Sequence, residues 1–579
     1  MSMRRGPAAI GLAAVAAALA VTAPSRAPAQ ERVDLLLRNG KVFTADPLWS
    51  THSVVAVRGG RVVAVGGPEL EARYQAARVV DLRGRLVTPG FIDTHIHVRG
   101  TPRFHVDLSH FESIDAIKQA IAAKAREVGP GQWVTGDGWA EGLVRERRPP
   151  LRADLDQAAP DNPVVLARAG GHSAVANSRA LALAGITRET PNPEGGVIER
   201  DERGELNGVI RERQDLVYRL VPRPTAEELR PSFVANLKRL LSLGITSIID
   251  AGAPPAAFAE WERIYQAHRG ELPRAAVQIY PGLARGGASA VEAIRRLEAF
   301  GRKTGDGDAW LRVGAVKLWI DGGYAGPAAW TLEPYKGQPT YFGIQNVDEG
   351  DFYAVASAAH RAGWQMGIHA IGDAAIKLSV DVLARVIREH PRADHRHYLN
   401  HFTVVPPLET LRTMALANLL IAQQPNFTWA PTLESRYVEN LDGERLARNN
   451  SLRTPMRHGI FVALGSDNHP IGPMEGLYAA VTRKGSSGRV YAEDERLTMP
   501  EAIAGYTRNG AYLTFEEAEK GTIEPGKLAD LVVLSEDLIE APAERILGIE
   551  VDMTILDGRI VYERAGTPSS KAGAGRSLP

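Results

Sequence analysis

The 579-residue chain contains no cysteine. That excludes disulfides, thiolate nucleophiles and zinc–thiolate sites, so any metal must be held by histidine and oxygen ligands. An excess of charge is missing too: Lys+Arg and Asp+Glu number 68 each, with no long run of one sign. Nucleic acid and anionic membrane surfaces are therefore poor partners. No glycine-rich dinucleotide or phosphate loop follows any apolar strand candidate, which argues against a Rossmann reading. One long apolar run occurs, at the start.

That start reads MSMRRGPAAIGLAAVAAALAVTAPSRAPAQ. Arg4 and Arg5 precede an apolar stretch from Ala8 to Ala23, and Ala27-Pro28-Ala29 is an A-x-A cleavage pattern. The run is short for a membrane span and no stop-transfer pattern follows. The expectation is a signal peptide over 1–29, cleaved after Ala29, and a periplasmic or secreted protein without a stable membrane span. The Arg pair leaves both the general and the twin-arginine export routes open.

What is present is an ordinary globular composition, 44% hydrophobic and 23% charged, in a chain long enough for two or more domains. Both ends are rich in short β-branched runs broken by hairpin signals at Asn39-Gly40, Gly59-Gly60 and Asp557-Gly558. They predict a small β-sandwich domain built from 30–88 and 516–565, with a disordered tail over 566–579. Between them, 89–515 alternates strand candidates with amphipathic helices. The strands are 90–97, 245–250, 275–280, 313–319, 364–369, 397–402, 419–424 and 460–467. Eight such units predict an α/β fold, a (β/α)₈ TIM barrel. The first connection, about 100–244, is far longer than a βα loop needs and is expected to be an insertion covering the barrel mouth. Ile376, Val380, Leu383 and Ile387 recur at helical spacing and read as the core face of one helix.

In such barrels the active site lies at the C-terminal strand ends. Those ends carry His95 and His97, then Lys317, His369, His401 and Asp467. On a strand, Asp93, His95 and His97 share one face. A protonated lysine cannot ligate, but its amine can take up CO₂ as a carbamate that bridges two ions. Each residue alone has a plain explanation: a hydrogen-bonded core histidine for His401, a snorkelling or salt-bridged Lys317, a turn or helix cap for Asp467. Six of them at the strand ends of one barrel point to a metal site. Asp93 reads as orienting the ligands or lining the barrel.

PGFIDTHIH (89–97), GHSAVANSRALALAGIT (171–187), PNPEGGVIERDERGELNGVI (191–210), VKLWIDGG (316–323), HAIGDAA (369–375) and GTIEPGKLADLVVL (521–534) together resemble the amidohydrolase superfamily, more narrowly its YtcJ-like or amidohydrolase-3 branch. The resemblance implies two divalent metal ions, Zn²⁺ above all. His95, His97 and Asp467 would hold one, His369 and His401 the other, with a carboxylated Lys317 as bridge. It implies a metal-activated hydroxide that cleaves a C–N bond of amide, N-acyl or N-formyl type in a small-molecule substrate. Asp467 would serve as general base and then general acid. The alternatives are a lactone/ester hydrolase or deaminase on the same scaffold, and a non-catalytic periplasmic binding protein. Lys317 favours amide or ester hydrolysis over deamination. The scaffold often self-associates, and nothing in the sequence forbids a homo-oligomer.

Four residues are candidates for the substrate side. His172 in GGHS could donate to a carbonyl or oxyanion, or order its loop. Asp321 in WIDGG is expected at the mouth or in a turn, and Trp139 in GDGWA as a pocket wall or a packing residue. His469 is read as a pocket residue. His395 and His397 precede a strand end and are excluded from the ligand set. Two positions depart from the family's common pattern: Asn400 stands where an acidic residue usually precedes the fourth histidine, and Asn468-His469 separate GSD from Pro470.

Overall fold

The computed structural model describes residues 30–566 apart from 170–172, 195 and 325. The expected signal segment, nearly all of the expected tail, and His172 lie outside the described residues. Among those described, no helix is long and apolar enough to cross a membrane.

All eight expected barrel strands form. They are β1 (Phe91–Ile96), β2 (Ile245–Ala253), β3 (Arg274–Ile279), β4 (Leu311–Trp319), β5 (Met366–Ala370), β6 (Tyr398–His401), β7 (Leu420–Gln423) and β8 (Val462–Leu464). They lie side by side in chain order in one eight-stranded parallel sheet. Nearly every strand position is buried, as a sheet covered on both faces requires. The helix Asp373–Glu389 turns Ile376, Val380 and Leu383 into the core, as its spacing predicts.

Ring closure falls between β8 and β1. The Asp467 N–H donates to the His95 carbonyl at 2.7 Å. The Asp93 carboxylate accepts the N–H of its own neighbour His95 at 3.1 Å and that of Ser466 at 3.0 Å, as well as the Ser466 hydroxyl. Gly465 is required here: a Cβ would sit 2.6 Å from the His95 nitrogen.

The two chain ends meet. One four-stranded sheet comes from residues 31–81. The neighbouring six-stranded sheet mixes N-terminal strands, Leu86–Pro89 among them, with C-terminal Leu531–Leu534, Val551–Leu556 and Arg559–Glu563. Leu35, Val57, Val87, Leu531 and Met553 share one buried cluster across the two sheets. Buried Arg274, opening β3, donates to both oxygens of Asp530 at 2.7 and 3.2 Å and ties the barrel to that layer.

The long first connection carries a six-stranded sheet of its own, from His105–Asp107 to Leu206–Arg211, with a separate core around Leu108, Ile117, Ile121 and Leu166. Its last stretch belongs to the barrel. The helix Ala226–Ser242 is opened by a Thr225–Glu228 capping box and buries Val234, Leu237, Leu240 and Leu241 in the main core.

Candidate metal centre

The strand ends bring the expected ligands together. His95 Nε2 and His97 Nε2 lie 3.6 and 3.5 Å from Asp467 Oδ1, and His401 Nδ1 is 3.8 Å from Asp467 Oδ2. The His95 and His401 rings are 4.6 Å apart and those of His369 and His401 4.4 Å. One donor atom each from His95, His401 and Asp467 falls within 4.8 Å of the others, a triad that crosses the two sets implied by the resemblance. Two of these residues sit in left-handed backbone, His401 at φ +78° and Asp467 at φ +47°. Such conformations are costly for non-glycine residues and cluster at functional sites. Here they curl the strand ends.

Hydrogen bonds fix which nitrogen is free. His95 Nδ1 is 2.7 Å from Asn400 Oδ1, and His401 Nδ1 is 2.8 Å from Gln424 Oε1. An amide oxygen only accepts, so each Nδ1 carries its proton and each Nε2 keeps a lone pair. Among the described residues, Nε2 of His95, His369 and His401 and Nζ of Lys317 are buried without a hydrogen-bond partner. Buried polar atoms are nearly always paired, so four orphans at one barrel end mark a place for a ligand.

The electrostatics agree. Burial, with the Lys317 charge added, holds His95 and His369 well below the usual imidazole range, and burial foremost does the same for His401. His97 is pushed down to about 3, chiefly by burial. The imidazoles are thus neutral and able to ligate. Burial also pulls the Lys317 amine down to about 7 against the nearby Asp467 and Asp250 carboxylates. It raises Asp467 to about 7 against the pull of Lys317. A divalent cation between them favours the carboxylate and the deprotonated amine alike, so the donor set fits a hard or borderline metal.

The surrounding residues divide into three groups. Asp93 pins the β1–β8 seam, which is the orienting role its shared face suggests. Asn468, one of the two departures, clamps the His97 backbone, accepting from its N–H at 3.1 Å and donating to its carbonyl at 2.9 Å. His469 is exposed at the rim, its ring edge-on to Phe427, which lies nearly parallel to His401.

For two residues with open readings, the structure shows the loop-ordering role of Asp321 and the packing role of Trp139. Asp321 is buried and accepts three N–H groups, from Trp330, Ile371 and Gly372 at 2.8–3.1 Å, fastening the loop that follows His369, and its Oδ1 lies 3.5 Å from His369 Nε2. Trp139 packs inside the insertion's own core and donates its indole N–H to the Leu166 carbonyl at 3.2 Å, so it walls no pocket at the barrel end. His395 and His397 are indeed elsewhere, in a hydrogen-bonded histidine cluster with His360. Sequence reasoning missed Gln424 and Phe427. The only available signal was their position just past β7.

A (β/α)₈ barrel with this donor set at its C-terminal end defines a metal-dependent hydrolase, and divalent metal use follows from it. The chain belongs to the amidohydrolase family, whose model matches residues 78–562. It is 30% identical over 551 residues to the putative amidohydrolase YtcJ of Bacillus subtilis, covering 91% of this chain and 99% of that one. It is 32% identical over 553 residues to the N-substituted formamide deformylase of Arthrobacter pascens, covering 92% and 99%. An uncharacterised metal-dependent hydrolase from Pyrococcus horikoshii has the same fold, with TM-score 0.67 at 23% identity over 88% of this chain and 99% of the other. The protein is therefore a hydrolase acting on C–N bonds.

Proposed function

We propose that this amidohydrolase cleaves the amide bond of an N-formyl or N-acyl compound. In this reading His95, His97, His369, His401, Asp467 and a carboxylated Lys317 would together hold two divalent ions, Zn²⁺ above all. The observation that carries the reading is the convergence of His95, His97, His401 and Asp467 at a barrel end where Nε2 of His95, His369 and His401 and Nζ of Lys317 are buried without hydrogen-bond partners. The near full-length similarity to a formamide deformylase supports the bond type.

When bound, the metal supplies Lewis acidity and lowers the pKa of water towards neutrality. Everything else falls to the chain. Asn400 and Gln424 hold His95 and His401 in the tautomer that presents Nε2. Phe427 lies nearly parallel to the His401 ring on one flank, with ring centroids 5.9 Å apart. Asp467 would take a proton from the attacking water and deliver it to the leaving nitrogen, as a carboxylate beside the ligating histidines is placed to do. Its backbone bond to His95 keeps that carboxylate in register with the ligands.

The test is a panel of N-alkylformamides, N-acyl amino acids, lactones and aminopyrimidines offered to the zinc-loaded enzyme. Turnover of the formamides or N-acyl compounds is expected, with formate or the free acid released. Turnover of lactones or aminopyrimidines alone would overturn the bond assignment. The reading of 1–29 as an export signal places the enzyme in the periplasm or outside the cell, and the mature chain is then expected to begin at Gln30 by mass spectrometry.

A further inference from the structure

Asn400 lies beside two of the proposed ligands, His95 and His401. It sits on β6 directly before His401, has no exposed surface, and holds His95 Nδ1 at 2.7 Å through Oδ1. Its Nδ2 is buried and has no hydrogen-bond partner. An aspartate would have the same shape but would put a charged, unpartnered oxygen in place of that Nδ2. The amide leaves one hydrogen bond unmet and keeps the position neutral.

We infer that Asn400 is a positioning residue that deliberately weakens His95 as a metal ligand. A carboxylate behind a ligating histidine draws on its Nδ1 proton and makes Nε2 more basic, whereas an amide oxygen fixes the same tautomer with a much weaker pull. Gln424 treats His401 in the same way at 2.8 Å, so two of the ligating imidazoles rest on neutral supports. The consequence is a site whose metal on the His95 side is held less tightly and exchanges more readily than carboxylate-backed histidines would allow. This inference rests on the metal site and not on which bond is cut, so a failed substrate panel leaves it standing.

Zinc retention against graded EDTA tests it, together with the visible spectrum of the Co²⁺-loaded protein. Asn400→Asp is expected to retain Zn²⁺ roughly 10- to 100-fold more tightly than wild type and to shift the Co²⁺ bands. Asn400→Leu, which loses the tautomer lock, is expected to retain it at least about 10-fold less tightly. Unchanged retention in Asn400→Asp overturns the inference, and so does a loss in that variant as large as in Asn400→Leu. If the leucine variant fails to fold, the isosteric aspartate decides alone, since its shape is already accommodated.

Discussion

Asp93 and Ser466 lie 373 positions apart, yet the backbone N–H and the hydroxyl of Ser466 both point at the Asp93 carboxylate. This contact joins the first barrel strand to the residues following the last, and it lies two positions before His95 and one before Asp467. Removing it should loosen the ring where the ligands attach. Asp93→Ala strands the buried N–H groups of His95 and Ser466, which costs about 2–4 kcal/mol. The expected result is a lower midpoint in denaturant and metal content below wild type. Normal metal content would show that the seam does not position the ligands.

Replacing Asp467 separates holding metal from moving protons. Asp467→Asn keeps the side chain's shape and one ligating oxygen but cannot shuttle a proton. A fall in kcat of about 10²–10⁴ is expected, with most of the metal retained by elemental analysis. A variant with normal kcat removes Asp467 from the proton path.

Lys317 is buried, its amine unpartnered and lowered towards neutrality by burial. A neutral amine is the form that reacts with CO₂. Protein loaded with ¹³C-bicarbonate and Zn²⁺ should show a carbamate carbon signal by NMR that is absent from Lys317→Arg. The arginine variant should also bind less than the full metal complement. A wild-type spectrum without that signal leaves Lys317 without a bridging role.

A pH effect on stability is expected from a second histidine cluster, at the opposite end of β5 and β6. His360 donates from Nε2 to the His390 carbonyl, so its Nδ1 accepts from His397 Nε2 at 2.8 Å. His397 Nδ1 accepts the Met366 N–H, and His395 Nδ1 accepts the His397 N–H, both at 3.0 Å. Every lone pair is in use, so an added proton must break a bond. Burial lowers all three groups in the fold, His395 to about 4. The unfolded chain therefore binds protons first as pH falls. The stabilisation is complete above about 6.5 and declines from there towards pH 4. Denaturant midpoints measured at pH 7.5 and 5 should differ, and His395→Gln should flatten that difference. An equal slope in wild type and variant discounts the cluster.

The architecture was readable because the barrel strands are short, mostly apolar runs separated by amphipathic helices, and the ligands fall at or near the ends of such runs. Asp93 was readable for the same reason, since two-residue periodicity places it beside His95 and His97. Asp321 was not, because WIDGG looks like a turn while the three N–H groups it gathers come from residues 330, 371 and 372. Trp139 misleads for a related reason. A large aromatic has the same signature in a pocket wall and in a core, and only the insertion's own sheet decides between them. Gln424 and Phe427 gave no periodic signal, because their roles arise from what His401 lacks on its far side.

The mixed terminal sheet also bears on the order in which the protein can be completed. Thr88 pairs with Val532, so the strand that leads into the barrel has its neighbour supplied more than four hundred residues later. The barrel seam behaves likewise, with Asp93 waiting for Ser466. As the chain is synthesised from its N-terminus, both early partners stay open until the last strands arrive. Folding that depends on such distant pairings is slow. A nascent chain stalled short of residue 531 would present the unpaired edge of Leu86–Pro89, and with it an invitation to aggregate.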